Sequence, residues 1–335
     1  MKQPLQMNKQ FVRKTNWLLT KKILFVCAQL TFLFILYILL LIGFVNWKDE
    51  TRKHVYFSET ALSFKNPNIG GLSTNEKEHM NLLGTKKISY TLTKRIGDFT
   101  EPYATIELKI PIISSYSTLE VKREVQSEYG EDNFYLPNDP WTGEKIVEIE
   151  DYSDWQQLEM LHEGTVATMN FSINEYMTPE QLLQIIQHID LAVLWMPLNT
   201  GEFTLFNTNL DKNYENMFSY KDRIGLAPNR THNADFTSKG VSDEISLDTI
   251  KEDKESMLKN MSEMLMEPPK YWESFVGIDH LSTRYEFLEE EGFSVYGATV
   301  TGPVKELLKL KEIPQVHNAK VTDVSYWNWT SRLSE

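Results

Sequence analysis

The stretch FSVYGATVTGPVKELLKLKEIPQVHNAKVTDVSYWNW, residues 293–329, decides the fold. From Phe293 to Thr301 apolar residues alternate with small or polar ones, the period-two pattern of a strand with one face on a core. Gly302-Pro303 breaks that pattern and opens a short helix, because proline suits a first helical turn where its missing amide costs nothing. Val304, Leu307 and Leu308 are expected to face inward on it. Pro314 ends the helix, and Ala319 to Trp327 resumes as a strand. Trp327 and Trp329, separated by Asn328, are expected to share one strand face. The whole is a strand–helix–strand unit.

Working back along the chain, TVATMNFSINEYMTPEQLLQIIQHIDLAVLWMPLNTG repeats the arrangement. Ala167, Met169, Phe171 and Ile173 alternate as in a half-buried strand. Thr178 is the expected N-cap, Pro179 the first helical residue, and Gln181 stands at capping-box spacing. Leu182, Leu183, Ile185, Ile186 and Ile189 form an apolar face, LAVLWMP reads as a buried strand, and Asn199-Thr200-Gly201 turns into EFTLF. Two such units predict an open α+β sandwich, ferredoxin-like in local topology. Between them, residues 212–236 lack periodicity and read as a long insertion. LDTIKEDKESMLKNMSEMLM is a helix whose methionines fill a core, and DHLSTRYEFLEEEG is a second helix ending at Gly292.

Ahead of these units, KISYTLTKRIGD and YATIELKIPII predict two strands, with GDFTEP as turn, and YSTLEVKREV a third. VYFSETALSF reads as a helical stalk, NPNIGGLSTNEKE as irregular chain, and YGEDNFYLPNDPWTG as a loop before a boundary near residue 150. Upstream stands an uncharged apolar run, Ile23–Val45, long enough as a helix to cross a hydrocarbon core of about 30 Å. Only Gln29 and Thr31 are clearly polar in it. Lys2, Lys9, Arg13, Lys14, Lys21 and Lys22 precede the run with no acid among them, whereas Lys48, Asp49, Glu50, Arg52 and Lys53 follow it. By the positive-inside rule residues 1–22 are cytoplasmic and the bulk extracytoplasmic. Trp17 and Trp47 are placed for the two interfaces. The reading is a single-pass cell-membrane protein: a basic tail 1–22, a transmembrane helix 23–45, a β-rich region 46–150 and an α/β domain 151–330.

Composition limits the chemistry. The net charge is −13, from 34 Lys+Arg against 47 Asp+Glu, and the tail holds none of the acids. The part after the run is therefore strongly acidic, which argues against direct nucleic-acid binding. The one cysteine, Cys27, lies inside the apolar run, so the bulk has no disulfide, zinc thiolate or cysteine nucleophile. No HExxH, GxSxG, GxxxxGK[ST] or GxGxxG occurs, and the histidines at 54, 79, 162, 188, 232, 280 and 317 are scattered. Asp132, Asp139 and Glu144 near Asn138 could gather a calcium ion, without an EF-hand loop. No catalytic, cofactor-binding or metal-ligating residue is assigned, and no cofactor is expected.

A family resemblance rests on these same stretches. YGATVTGPVKELLKL, the proline at 314 and the VSYWNW close resemble the end of the sigma-factor-regulator C-terminal domain. TVATMNFSINEYMTPEQLLQII with LAVLWMPLNTG resembles its start, and YTLTKRIGDFTEPYATIELKI after the span is similar to the family's N-terminal domain. The resemblance covers most of residues 20–330, in order. It implies a membrane protein of a Gram-positive bacterium, of the anti-sigma type that holds an extracytoplasmic-function sigma factor at the membrane without catalysing anything. Residues 1–22 are short for such a grip, so the expected partners are membrane lipid, a sigma factor and a second small membrane protein. The alternative is an envelope enzyme or extracytoplasmic binding protein that has kept only the fold.

Overall fold

The structure, a computed structural model, describes residues 9–47, 50–72, 77–111, 117–123, 134–146, 151–202, 204–207, 210–214 and 217–333. It divides into two compact units. One comprises residues 1–50 with 80–85, and the other 51–79 with 86–335.

The first unit is dominated by α1, Lys9–Trp47, longer than the apolar run because the basic residues before it continue the same helix. Its segment Arg13–Phe44 is long and apolar enough to cross a membrane, and none of its most apolar window is buried within the protein. Lys21 stacks its ammonium 3.8 Å above the Trp17 ring, one turn along the helix. The side chain of Trp47 lies outside the described residues.

The second unit begins with α2, Thr51–Lys65. VYFSETALSF is no stalk: Tyr56, Phe57, Ala61, Leu62 and Phe64 are all buried in the main core. The apolar residues recur around most of the helix, which leaves it no solvent face to offer. The first sheet contains β1 (Ile69–Leu72), β2 (Lys77–Met80), β3 (Thr85–Ile96), β4 (Phe99–Pro111) and β5 (Thr118–Arg123). Its order is β1-β3-β4-β5, with β2 also paired to β3. The three expected strands are present. The stretch read as irregular supplies β1 and β2 instead, because β3 is long enough to template both. FTEP belongs to β4, and only Gly97 and Asp98 make the turn.

The rest of the unit carries α3 (Trp155–Glu159), β6 (Thr165–Met177), α4 (Pro179–Ile186) and β7 (Ala192–Asn199). There follow β8 (Leu210–Tyr214), β9 (Met217–Tyr220), β10 (Gly225–Leu226), β11 (Arg230–His232), β12 (Ser238–Val241), α5 (Ile250–Leu265) and α6 (Leu281–Glu290). The chain ends with β13 (Ser294–Pro303), α7 (Val304–Leu307) and β14 (Val316–Tyr326). The expected capping box is present, with the Thr178 hydroxyl accepting from the Gln181 amide and the Gln181 side chain accepting from the Thr178 amide.

The second sheet runs β10-β7-β13-β6-β14. β13 is antiparallel to both β6 and β7, and β14 is antiparallel to β6. The two strand–helix–strand units are therefore parallel crossovers that interleave, each strand of one separated by a strand of the other. This is the split βαβ order of ferredoxin-like sheets, as expected from the sequence.

Several expectations change. β6 is buried on both faces, not half-buried: Ala167, Met169, Phe171 and Ile173 join the main core, while Thr168, Asn170 and Ser172 are equally covered. Those polar side chains are satisfied, since the Thr299 hydroxyl donates to Asn170 at 2.7 Å and the Tyr135 amide to Ser172 at 2.9 Å. EFTLF forms only a bridge between Glu202 and Phe206. Residues 212–236 hold β9, β10, β11 and most of β8 rather than bare insertion. After Leu307 the helix tightens to a 3₁₀ turn, Leu308–Glu312, which rotates Leu310 into the core and leaves Leu308 half-buried. β14 stops at Tyr326, so Trp327 is 54% exposed while Trp329 is 8% exposed, on no common face. The expected boundary near residue 150 lies outside the described residues.

Candidate functional site

The first-sheet turn, Arg95-Ile96-Gly97-Asp98, docks against the C-terminal segment that follows β14. Gly97 has φ of +64°, and its amide donates to the Thr301 hydroxyl at 2.8 Å. A Cβ here would lie 1.9 Å from Asn328 Oδ1, so only glycine permits this approach. The Asp98 amide donates to Asn328 Oδ1 at 3.1 Å, and Asn328 Nδ2 donates to the Ile96 carbonyl at 3.0 Å. Ile96 then packs with Val166, Ala192, Leu194 and Trp329 in a small second core. Trp329 is fixed by its indole N–H, which donates to Asp190 at 3.1 Å, and by the Arg332 guanidinium 3.7 Å from its ring.

These contacts wall a cleft of about 480 Å³. Its polar lining is dominated by Arg95, Arg230, Arg332, Asp98 and Glu244, over a floor that includes Ile69, Leu194 and Ala227. Arg95 donates to the Gly97 carbonyl at 2.8 Å and the Asp243 carbonyl at 2.9 Å, and pairs with Asp98 at 3.2 Å. Arg332 pairs with Asp98 and, at 3.4 Å, with Glu244. Arg230 is buried against Glu59 of α2. Its main chain is gripped by α5 and α2: Ser256 and Asn260 both donate to its carbonyl, as does the Tyr56 hydroxyl at 3.0 Å. Burial pushes the Tyr56 phenol up to about 12, which keeps it a neutral donor.

Burial tends to raise the Asp98 carboxyl, but hydrogen bonds from Arg332 and the Thr330 amide outweigh it and hold the group below its ordinary value. Asp98 is thus an ionised acceptor, the opposite of a general acid. No histidine, cysteine or tyrosine lines the cleft among the described residues. The arrangement suits recognition of a polar ligand, or a joint between chain segments, better than proton transfer.

None of the charged residues lining the cleft was singled out from the sequence. The available signal was the RIGD turn and the WNWTSR close, polar-aromatic ends without a spacing that implies chemistry. Asp139 accepts from the amides of Trp141 and Thr142 in a local turn, Asp132 lies outside the described residues, and no group of three potential metal ligands occurs among those described. In the apolar helix, Thr31 donates to the Cys27 carbonyl at 2.9 Å and so satisfies its hydroxyl internally.

Comparison with known proteins gives two family matches in chain order. Residues 9–100 match the family described as Sigma factor regulator N-terminal, and residues 158–323 the one described as Sigma factor regulator C-terminal. A curated relative, the probable anti-sigma-M factor YhdL of Bacillus subtilis (strain 168), is 27% identical over 176 residues. The match covers 51% of this chain and 43% of the relative, so the chain spans less than half of that protein's length. No solved structure matches. With both matches taking in most of the sequence, and their residues interlocked at the cleft, the chain belongs to the sigma factor regulator family.

Proposed function

We propose that this protein is a membrane-anchored, non-catalytic regulator of the anti-sigma type, acting on an extracytoplasmic-function sigma factor. The observation that carries the reading is the paired N-terminal and C-terminal family match, in order, the first of them taking in a helix fit to cross a membrane. The name of the Bacillus subtilis relative supports the anti-sigma assignment. The basic residues preceding the span support a cytoplasmic N-terminus and an extracytoplasmic bulk. Sigma-factor contact then falls to the cytoplasmic side, helped by a second small membrane protein that the span engages through Gln29. The Arg95–Asp98–Arg332 cleft is the site through which the outer unit receives its signal. Its charge-paired lining and the ionised Asp98 favour binding over catalysis there.

A transcriptional reporter for the cognate sigma factor tests the reading. Deleting the gene should raise reporter output, and restoring it together with neighbouring membrane genes should bring the output down. A reporter indifferent to both would overturn the anti-sigma assignment. In the same strain, protease added to intact protoplasts should degrade the bulk and spare a tag at residue 1, and the converse pattern would overturn the orientation.

A further inference from the structure

The turn joining β2 to β3 is Asn81-Leu82-Leu83-Gly84, and it belongs to the same compact unit as α1. Its two leucines are among the most exposed large apolar side chains outside the span, 62% and 73% exposed. A water-facing hairpin tip has no reason to present adjacent leucines, and turns normally carry polar residues there.

The backbone of this turn is unusually self-sufficient. Asn81 Oδ1 accepts from the amides of Leu83 at 3.0 Å and Thr85 at 2.9 Å. The Gly84 amide donates to the Asn81 carbonyl at 3.0 Å, and the Asn81 amide to the Thr85 carbonyl at 3.1 Å. The Leu82 carbonyl accepts from the hydroxyl of Tyr37, in α1, at 2.7 Å. Satisfying main-chain groups without water is the condition a bilayer imposes on any chain that enters it.

Tyr37 fixes the depth. It stands before the end of the apolar segment Arg13–Phe44 by roughly 10 Å, at 1.5 Å per residue. The Leu82 carbonyl, held by the Tyr37 hydroxyl, places the turn at that same depth, short of the end of the apolar segment.

We infer that the β2–β3 turn is a second membrane-inserted element, burying Leu82 and Leu83 among the acyl chains of the leaflet that surrounds Tyr37. This rests on the reading of α1 as a membrane span, and the experiment separates the two.

The full chain, with Cys27→Ala, is reconstituted in phosphatidylethanolamine–phosphatidylglycerol vesicles. It carries an environment-sensitive fluorophore on Leu83→Cys, on Leu40→Cys within the span, or on Glu101→Cys at an exposed position of β4. The label at position 83 should emit to the blue of that at 101. It should be quenched at least twofold by acyl-chain doxyl lipid, as at position 40, and be protected from aqueous iodide. Quenching of the 83 label by iodide and not by doxyl lipid, with the 40 label behaving as a span residue, would overturn the insertion and leave the span intact. Protection of the 83 label from both quenchers would also overturn it and point to a protein contact. Iodide access at both 83 and 40 would remove the span and the inference together.

Discussion

Replacing Arg284 by methionine should destabilise the second unit more than any surface substitution, because the side chain is 1% exposed and its anionic partner Glu202 is 7% exposed. Arg284 pairs with Glu202 and donates to the Thr200 hydroxyl at 2.6 Å, the Asp279 carbonyl at 2.9 Å and the Asp222 carbonyl at 2.9 Å. These bonds tie α6 to the end of β7 and to the chain ahead of β10. Losing the guanidinium leaves the Glu202 carboxylate buried without its counter-charge, which typically costs about 3–5 kcal/mol. For a unit of this size that is a drop in melting temperature of roughly 10 °C. The double variant Arg284→Met/Glu202→Leu removes both charges and should recover most of the loss, since apolar replacement of a whole buried pair is often near neutral. Urea unfolding of the full chain in detergent, followed by tryptophan fluorescence, gives both values. A single variant within about 1 kcal/mol of the natural protein, or a double variant no better than the single, would refute a buried pair that depends on its counter-charge.

Leu307→Ala should cost about 2–5 kcal/mol in the same assay, because Leu307 is fully buried. Lys309→Ala, at an exposed position paired with Glu306, should change stability by less than about 1 kcal/mol. Burial pushes the Asp253 carboxyl from 3.8 up to about 6, against hydrogen bonds from the Thr249 hydroxyl and the Asn229 amide. The unfolded chain then gives up this proton before the folded one does, so the group's contribution is complete below about pH 4 and falls as pH rises to about 6. Stability of the natural protein minus that of Asp253→Asn should therefore decline across that window, and a flat difference would show that Asp253 is ionised in the fold.

Local structure was largely legible from the chain. Thr178-Pro179 with Gln181 specifies a helix start by chemistry confined to one turn, so neighbours could not change it. The alternation in 293–301 and the apolar run of β7 specify strands for the same reason. Misreadings fell where neighbours decide. Residues 69–72 and 77–80 have weak strand character, yet β3 offers them a partner. VYFSETALSF could be a stalk or a core helix, and only the apolar surfaces packed around it choose. Trp327 and Trp329 sit at a strand end, where face alternation stops with the ladder.

The cleft was invisible for a related reason. Arg95, Arg230, Glu244 and Arg332 lie far apart in sequence and carry no spacing that demands convergence. A metal or nucleophile motif is legible because its ligands share one helix or loop, whereas charge pairs can be drawn from any surface.

By itself, then, the sequence determined the apolar helix, its charge asymmetry, the two strand–helix–strand units and the family, all properties of contiguous residues. The tertiary structure alone decided that the two units interleave in one sheet and that the N-terminal hairpin locks onto the C-terminal segment at Gly97. It alone decided that Leu82 reaches the level of Tyr37. Those are long-range contacts, selected by which surfaces fit and which buried polar groups find partners, and no local pattern encodes them.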